Sequence, residues 1–198
     1  NSRIMGFFRT AFYMPVVMSA VVVGMIWTNL LDSAGLVNSV LKALKIISKP
    51  IPFLTDRWGV LFSSMFVTIW LGLGYYMVIY LTALANIDES LYEAASLDGA
   101  GPVRQFIYVT MPGVRSTMML IMMLSTIAAF RVFNEIYVLT NGSAGPGGMD
   151  MTMSMLIKRE GTGIQARTGY ASAISIVVLV IVGVMLIVQQ ILQKRGED

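Results

Sequence analysis

At 198 residues the chain is short enough for one domain. However, 56 % of it is hydrophobic, only 13 % is charged and its mean hydropathy is +0.73, a composition that excludes a water-soluble globule. Neither cysteine nor histidine is present, which rules out disulfides, thiol nucleophiles, zinc clusters and imidazole acid–base chemistry. The net charge of +3 comes from basic residues scattered through short loops rather than gathered in a stripe, so membrane flanks account for it and nucleic acid does not.

Taken in order, four apolar stretches meet the length of about 20 residues that a helix needs to cross a bilayer. The first covers about 10–31, between Arg9 and Asp32. No basic leader with a small-residue cleavage site precedes it, so no signal peptide is expected. Next comes a short amphipathic stretch, 36–47, carrying Lys42 and Lys45; it reads as an interfacial helix stopped by Pro50-Ile51-Pro52. The second span is expected over 60–86, a polar hairpin over 88–112, the third span over 116–139, and the fourth over 170–192 between Arg167 and Lys194. Trp27, Trp58 and Trp70 read as interfacial anchors or packing residues, and the 16 methionines as adaptable apolar filler. Continuous runs of Leu, Met, Ile and Val without alternation point away from a membrane barrel, and backbone groups in lipid must be satisfied within the segment. The expected class is an all-α membrane protein of four transmembrane helices plus interfacial helices. The turn-rich loop Asn141 to Gly148 holds no phosphate cradle of the GxxxxGK[ST] kind, nor does any other segment, so the chain is not expected to bind ATP itself. Lys and Arg are divided so evenly between the two faces that the positive-inside rule assigns no orientation.

The hairpin has its own local logic. Ser90 followed by Glu93 reads as a capping box that starts a helix near Leu91. Gly99 then ends that helix, Pro102 begins a second one carrying Val103, Phe106 and Ile107 on one face, and Pro112 stops it. Two short helices set at an angle by a glycine make a rigid knob.

Glu93-Ala94-Ala95, Gly99, Val109, Met111 and Pro112 resemble the EAA loop of ATP-binding-cassette importer permeases, with Val and Met replacing the usual Ile and Leu. Asp98 and Ala100 complete an Asp-Gly-Ala extension like that of carbohydrate-importing members. The segments Phe133 to Gly142 and Gly169 to Ala173 look like those flanking the last two spans of the maltose and glycerol-phosphate type of permease. The loop after Thr140, Gly142-Ser143-Ala144-Gly145-Pro146, departs from the usual Gly-Gly-Pro.

This resemblance implies a single permease domain over 1–198, matching the C-terminal part of a six-span core whose first two spans are not in this sequence. It also implies a multi-pass protein of a bacterial or archaeal inner membrane, with the hairpin in the cytoplasm. ATPase subunits binding ATP and Mg, a second permease subunit, an extracytoplasmic solute-binding protein and membrane lipid would be its partners. No cofactor, metal or enzymatic role is expected of the chain itself. Glu93, Ala94, Ala95, Asp98, Gly99, Ala100 and Pro112 would couple to the ATPase. Thr68, Leu71, Gly72 and Tyr75 on the second span, with Ser125, Ala128, Ala129 and Val132 on the third, match the sugar pathway. Each set keeps one helix face, although small residues at such spacing also serve helix packing. Arg131 and Glu135, four residues apart in the third span, can neutralise each other, or Arg131 can face a water-filled vestibule or an anionic ligand. Two readings from other classes compete with an ATP-driven importer: an ion-coupled secondary transporter, for which Glu135 is the candidate carboxylate, and a non-transporting scaffold that binds partners through the knob.

Overall fold

The computed structural model describes residues 3–195, and no strand occurs among them. Ten helices follow in order: α1 (Arg3–Tyr13), α2 (Ala20–Leu31), α3 (Leu36–Ala43), α4 (Arg57–Ala85), α5 (Glu89–Leu97), α6 (Pro102–Gly113), α7 (Arg115–Phe130), α8 (Asn134–Leu139), α9 (Met153–Gly161) and α10 (Thr168–Arg195). By length and apolarity Ala20–Ala43, α4 and α10 can each cross a membrane, while α6 and α7 qualify together as a pair bent by 61°.

Two expected spans are not continuous helices. The first breaks at Pro15, which opens a 3-10 turn over Met14–Val17, and extended Ser19 then caps α2. Proline lacks the N–H and its ring collides with the carbonyl four residues back, which disfavours a single straight helix from 10 to 31. The third span stops at Phe130 and resumes as α8 after the non-helical Phe133. No proline or glycine enforces this break. One carbonyl it releases is taken up from outside: the Ser154 hydroxyl on α9 donates to Phe130 O at 3.3 Å.

The interfacial helix is shorter than the expected 36–47. It ends at Ala43 because Lys45 adopts φ +56°, with Ile46 N–H bonded to Leu41 O and Lys45 N–H to Lys42 O. That double bond pattern satisfies the last carbonyls well before the prolines arrive. What Pro50 and Pro52 shape instead is the return to α4, and fully buried Asn38 holds it. Asn38 donates from Nδ2 to the carbonyls of Asp32 and Ile51, both at 3.1 Å, and accepts the Ile51 N–H at 2.8 Å. Asn38→Ala should strand those backbone groups and cost about 1–3 kcal/mol, read as a lowered thermal transition of the detergent-solubilised protein.

The core sits where α2, α4 and α8 meet. Val23, Val67 and Leu139 are buried there, with Trp27 and Trp70 against them. The Trp27 ring meets Phe66 and Trp70 edge-on at 5.1 and 5.6 Å, so two of the three tryptophans pack, whereas Trp58 is exposed under the Arg57 guanidinium. Glycines set the closest approaches. Gly24 lies where a Cβ would come within 2.8 Å of Val138, and Gly74 where one would strike the Phe12 carbonyl oxygen and the Tyr13 Cα. Close helix contact through small residues is the usual packing device in lipid. A polar clamp ties α10 to α7: Gln189 Nε2 donates to Thr126 Oγ1 at 2.7 Å.

Candidate functional site

Two features stand out on this frame, a polar knob between α4 and α7 and a cavity between α4 and the broken third span. The knob begins at Asp88 rather than at Ser90. Asp88 is the N-cap, its carboxylate accepting the Ser90 N–H at 2.9 Å, and the helix starts at Glu89. Asp suits this position better because its side chain reaches the orphan N–H two residues on while its own backbone stays extended. The bond from the Ser90 backbone, followed by one from its side chain, holds the Asp88 carboxyl below its ordinary range. A depressed carboxylate stabilises the fold above the unfolded pKa and ceases to do so as pH falls through its own lowered value. Helicity of α5 should therefore fall on acidification through that lower range, and Asp88→Asn should remove this pH dependence, as followed by hydrogen exchange of the Ser90 and Leu91 amides.

Gly99 ends α5 as expected. It has φ +73°, its N–H bonds to Ser96 O and that of Ala100 to Ala95 O. Pro102 occupies the first turn of α6. The two helices are then locked together by side chains. Tyr92 OH and Thr110 Oγ1 lie 2.8 Å apart, and Gln105 Nε2 donates to Ser96 Oγ at 2.8 Å. Pro112 does not stop α6, which runs to Gly113. Upstream of it, Phe106–Thr110 form a wider π turn, and the chain bends by 61° into α7. A missing N–H and a crowded preceding turn are the usual causes of such a bulge and bend.

Glu93, Ala94, Asp98, Gly99 and Pro112 are exposed, while Ala95 and Ala100 are half-buried. Beside them the apolar side chains are also uncovered: Leu97 is 90 % exposed, Tyr108 75 % and Val103 71 %. Uncovered apolar side chains grouped among polar ones are a feature of interaction surfaces.

The cavity measures about 810 Å³. Thr68, Leu71, Gly72 and Tyr75 from α4 line it, together with Ser125, Ala128 and Ala129 from α7 and Val132 from the break. Every position matched to the sugar pathway therefore faces one space. Tyr76 and Asn134 also line it; Tyr76 was legible, being four residues beyond Gly72, whereas Asn134 enters only because the helix breaks. Arg131 and Glu135 line it as well and form no ion pair with each other. The reason is the break itself: Arg131 caps α7 and Glu135 belongs to α8, so the helical spacing that would join them is lost. Outside the cavity, the ion pairs formed among the described residues join Glu160 to Arg159 and to Arg167. Lys158 on α9 sits 4.0 Å over the Tyr137 ring and 4.9 Å over that of Phe133, the two rings being stacked. Its part in holding the break could not be read from the sequence, since Lys158 is far from Phe133 along the chain.

A helical membrane chain with an exposed, glycine-hinged knob and an inter-helix cavity belongs to the class of transport permeases. Residues 1–197 match the family described as the binding-protein-dependent transport system inner membrane component, and the chain belongs to that family. Among curated proteins it is 34 % identical over 193 residues to the probable ABC transporter permease protein YurN of Bacillus subtilis (strain 168), covering 97 % of this chain and 65 % of that one. It is 33 % identical over 187 residues to the lactose transport system permease protein LacF of Rhizobium radiobacter, covering 94 % and 63 %. The chain thus spans somewhat less than two thirds of the length of these relatives. In fold it resembles a chain of a bacterial alginate ABC transporter solved in complex with an alginate pentasaccharide-bound periplasmic protein, with TM-score 0.81, 24 % identity, and coverage of 96 % of this chain and 65 % of that one.

Proposed function

We propose that this chain is the translocation subunit of an ATP-driven, binding-protein-dependent importer for a carbohydrate. In this reading it performs no bond chemistry. Two permease chains form the pathway in a bacterial or archaeal inner membrane, ATP and Mg bind to partner ATPase subunits, and a solute-binding protein delivers the substrate from outside. The observation that carries it is the knob: an EAA-type spacing from Glu93 to Pro112 folds into a clamped hairpin whose apolar side chains, Leu97 foremost, have no cover in this chain. Closure of the ATPase pair rocks two such knobs, and the bend between α6 and α7 passes that motion to the helix lining the cavity as a rigid-body change. Names of relatives such as the lactose permease support the carbohydrate class.

The test uses the full-length permease assembled with its ATPase and partner permease in liposomes. ATPase activity stimulated by sugar-loaded binding protein, with cross-links from Leu97 or Gly99 to the ATPase subunit, is the expected result. Uptake that ignores ATP and collapses with an ion gradient instead would assign the chain to secondary transport.

A further inference from the structure

We propose that Arg131 and Glu135 are specificity-determining contacts to the transported solute, reading the hydroxyl groups of an uncharged sugar ring from the cavity wall. This rests on the carbohydrate-importer reading above, and it adds the residues that do the recognising. Hydrogen-bonding capacity inside the cavity is unevenly distributed. Thr68 and Ser125 look suited to a sugar, but their protons are committed: Thr68 Oγ1 donates to Ser64 O at 2.8 Å and Ser125 Oγ to Met122 O at 3.0 Å. Ala128, Ala129 and Val132 carry no polar side-chain atom. The uncommitted donors lie in the Tyr75 and Tyr76 hydroxyls, the Asn134 amide and Arg131, and the uncommitted carboxylate is that of Glu135; all line the cavity, and none of these side chains makes a hydrogen bond or ion pair within the chain.

Within this set the charged residues supply most of the capacity. Arg131 presents a planar fork of five donors and Glu135 only acceptors, whereas each ring hydroxyl both donates and accepts. Vicinal hydroxyls can therefore satisfy both side chains at once. Tyr75 and Tyr76 lie beside them with ring centroids 5.4 Å apart at 69°, so one can offer a face to a sugar ring while the other offers its edge. An arginine within a span costs at least about 2.5 kcal/mol on insertion scales and is kept where it faces water or a ligand. Here the break after Phe130 removes the one arrangement in which Glu135 would have neutralised it as a helical neighbour. Opposite signs on one wall leave it without net charge, which favours a neutral ring over a uronate.

The experiment uses the reconstituted full-length importer and, as probe, whichever oligosaccharide the wild-type transports fastest from a panel of labelled lactose, arabinotriose and an oligouronate. Arg131→Met and Glu135→Gln should each lower maximal uptake about tenfold or more, the worth of a hydrogen bond to a charged group. Co-purification of each variant with the ATPase subunit separates a folded chain with impaired uptake from one that fails to assemble, since the knob is untouched. Arg131→Lys keeps the charge but loses the fork, and should be impaired as well. The charge exchange Arg131→Glu with Glu135→Arg should remain as defective as the single changes. Restoration of uptake by that exchange would reveal a structural ion pair and overturn the proposal. So would wild-type uptake in the single variants, or full activity of Arg131→Lys where Arg131→Met fails to accumulate. An oligouronate as the best probe, dependent on Arg131 alone, would overturn it too. Failure of the wild-type importer to move any sugar is a different result and removes the functional reading beneath it.

Discussion

Gly74→Ala is expected to part α1 from α4 and to lower the thermal stability of the membrane-extracted protein by an amount at the upper end of the roughly 1–3 kcal/mol typical of overpacking. The added methyl would strike the Phe12 carbonyl oxygen and come within 2.8 Å of the Tyr13 Cα. Both are main-chain atoms, so no rotamer change relieves the collision; one helix must shift. Transport should fall with stability, because Gly72 and Tyr75 beside it line the cavity. Gly183 on α10 and Gly6 on α1 have nothing within 4 Å of an added Cβ, and the same substitution there should leave transport unchanged and raise stability by up to about 1 kcal/mol, alanine being the better helix former. A stable Gly74→Ala protein would show that α1 does not need this contact.

Leu97→Asp is expected to abolish ATP-driven uptake while leaving the chain folded. Leu97 is 90 % exposed, so its replacement disturbs no packing within the chain, and any loss belongs to a partner. Truncating an interface anchor costs 2 kcal/mol or more, about a thirtyfold loss in affinity, measured as capture of the purified ATPase subunit by the reconstituted permease. Gly99→Val should act in the same direction by a different route, since φ +73° costs an L-residue about 1–2 kcal/mol and a relaxed turn would swing the knob. Ile164→Asp is the control: that side chain is fully exposed but lies in the segment between α9 and α10, away from the knob. Undiminished capture by the Leu97→Asp protein would remove the coupling role from this surface.

Much of the architecture was legible because lipid allows few solutions. Long apolar runs bounded by charge could only be helices, and Gly99 and Pro102 announced the hinge of the knob through backbone preferences alone. The cavity was legible for a similar reason, as helical spacing places Thr68, Leu71, Gly72 and Tyr75 on one side of α4. What the sequence hid were departures from regular helix. Pro15 was in plain view, yet hydropathy averages over it and reports one span where the chain makes two pieces. The gap at Arg131 to Phe133 carries no breaker; it depends on Ser154, on Lys158 and on the buried cluster of Ile136, Ala144 and Met155, contacts between segments far apart along the chain. The Arg131–Glu135 pairing failed for that reason, and the N-cap moved from Ser90 to Asp88 because two cap formers two residues apart compete and the carboxylate won.

The cradle of Lys158 over two stacked rings decides how the segment around α9 behaves in brine. A cation resting on aromatic faces needs no counter-charge, whereas the bonds from Glu160 to the exposed Arg159 and Arg167 are of the kind that dissolved ions weaken. As salinity rises, the strap formed by α9 keeps its grip on the interrupted span while the side-chain links of Glu160 weaken, the Arg167 N–H bond to Glu160 O at 2.7 Å holding the turn itself. The clasp at Lys158 is thus the part that dissolved ions disturb least, and the bridges of Glu160 the part they disturb first.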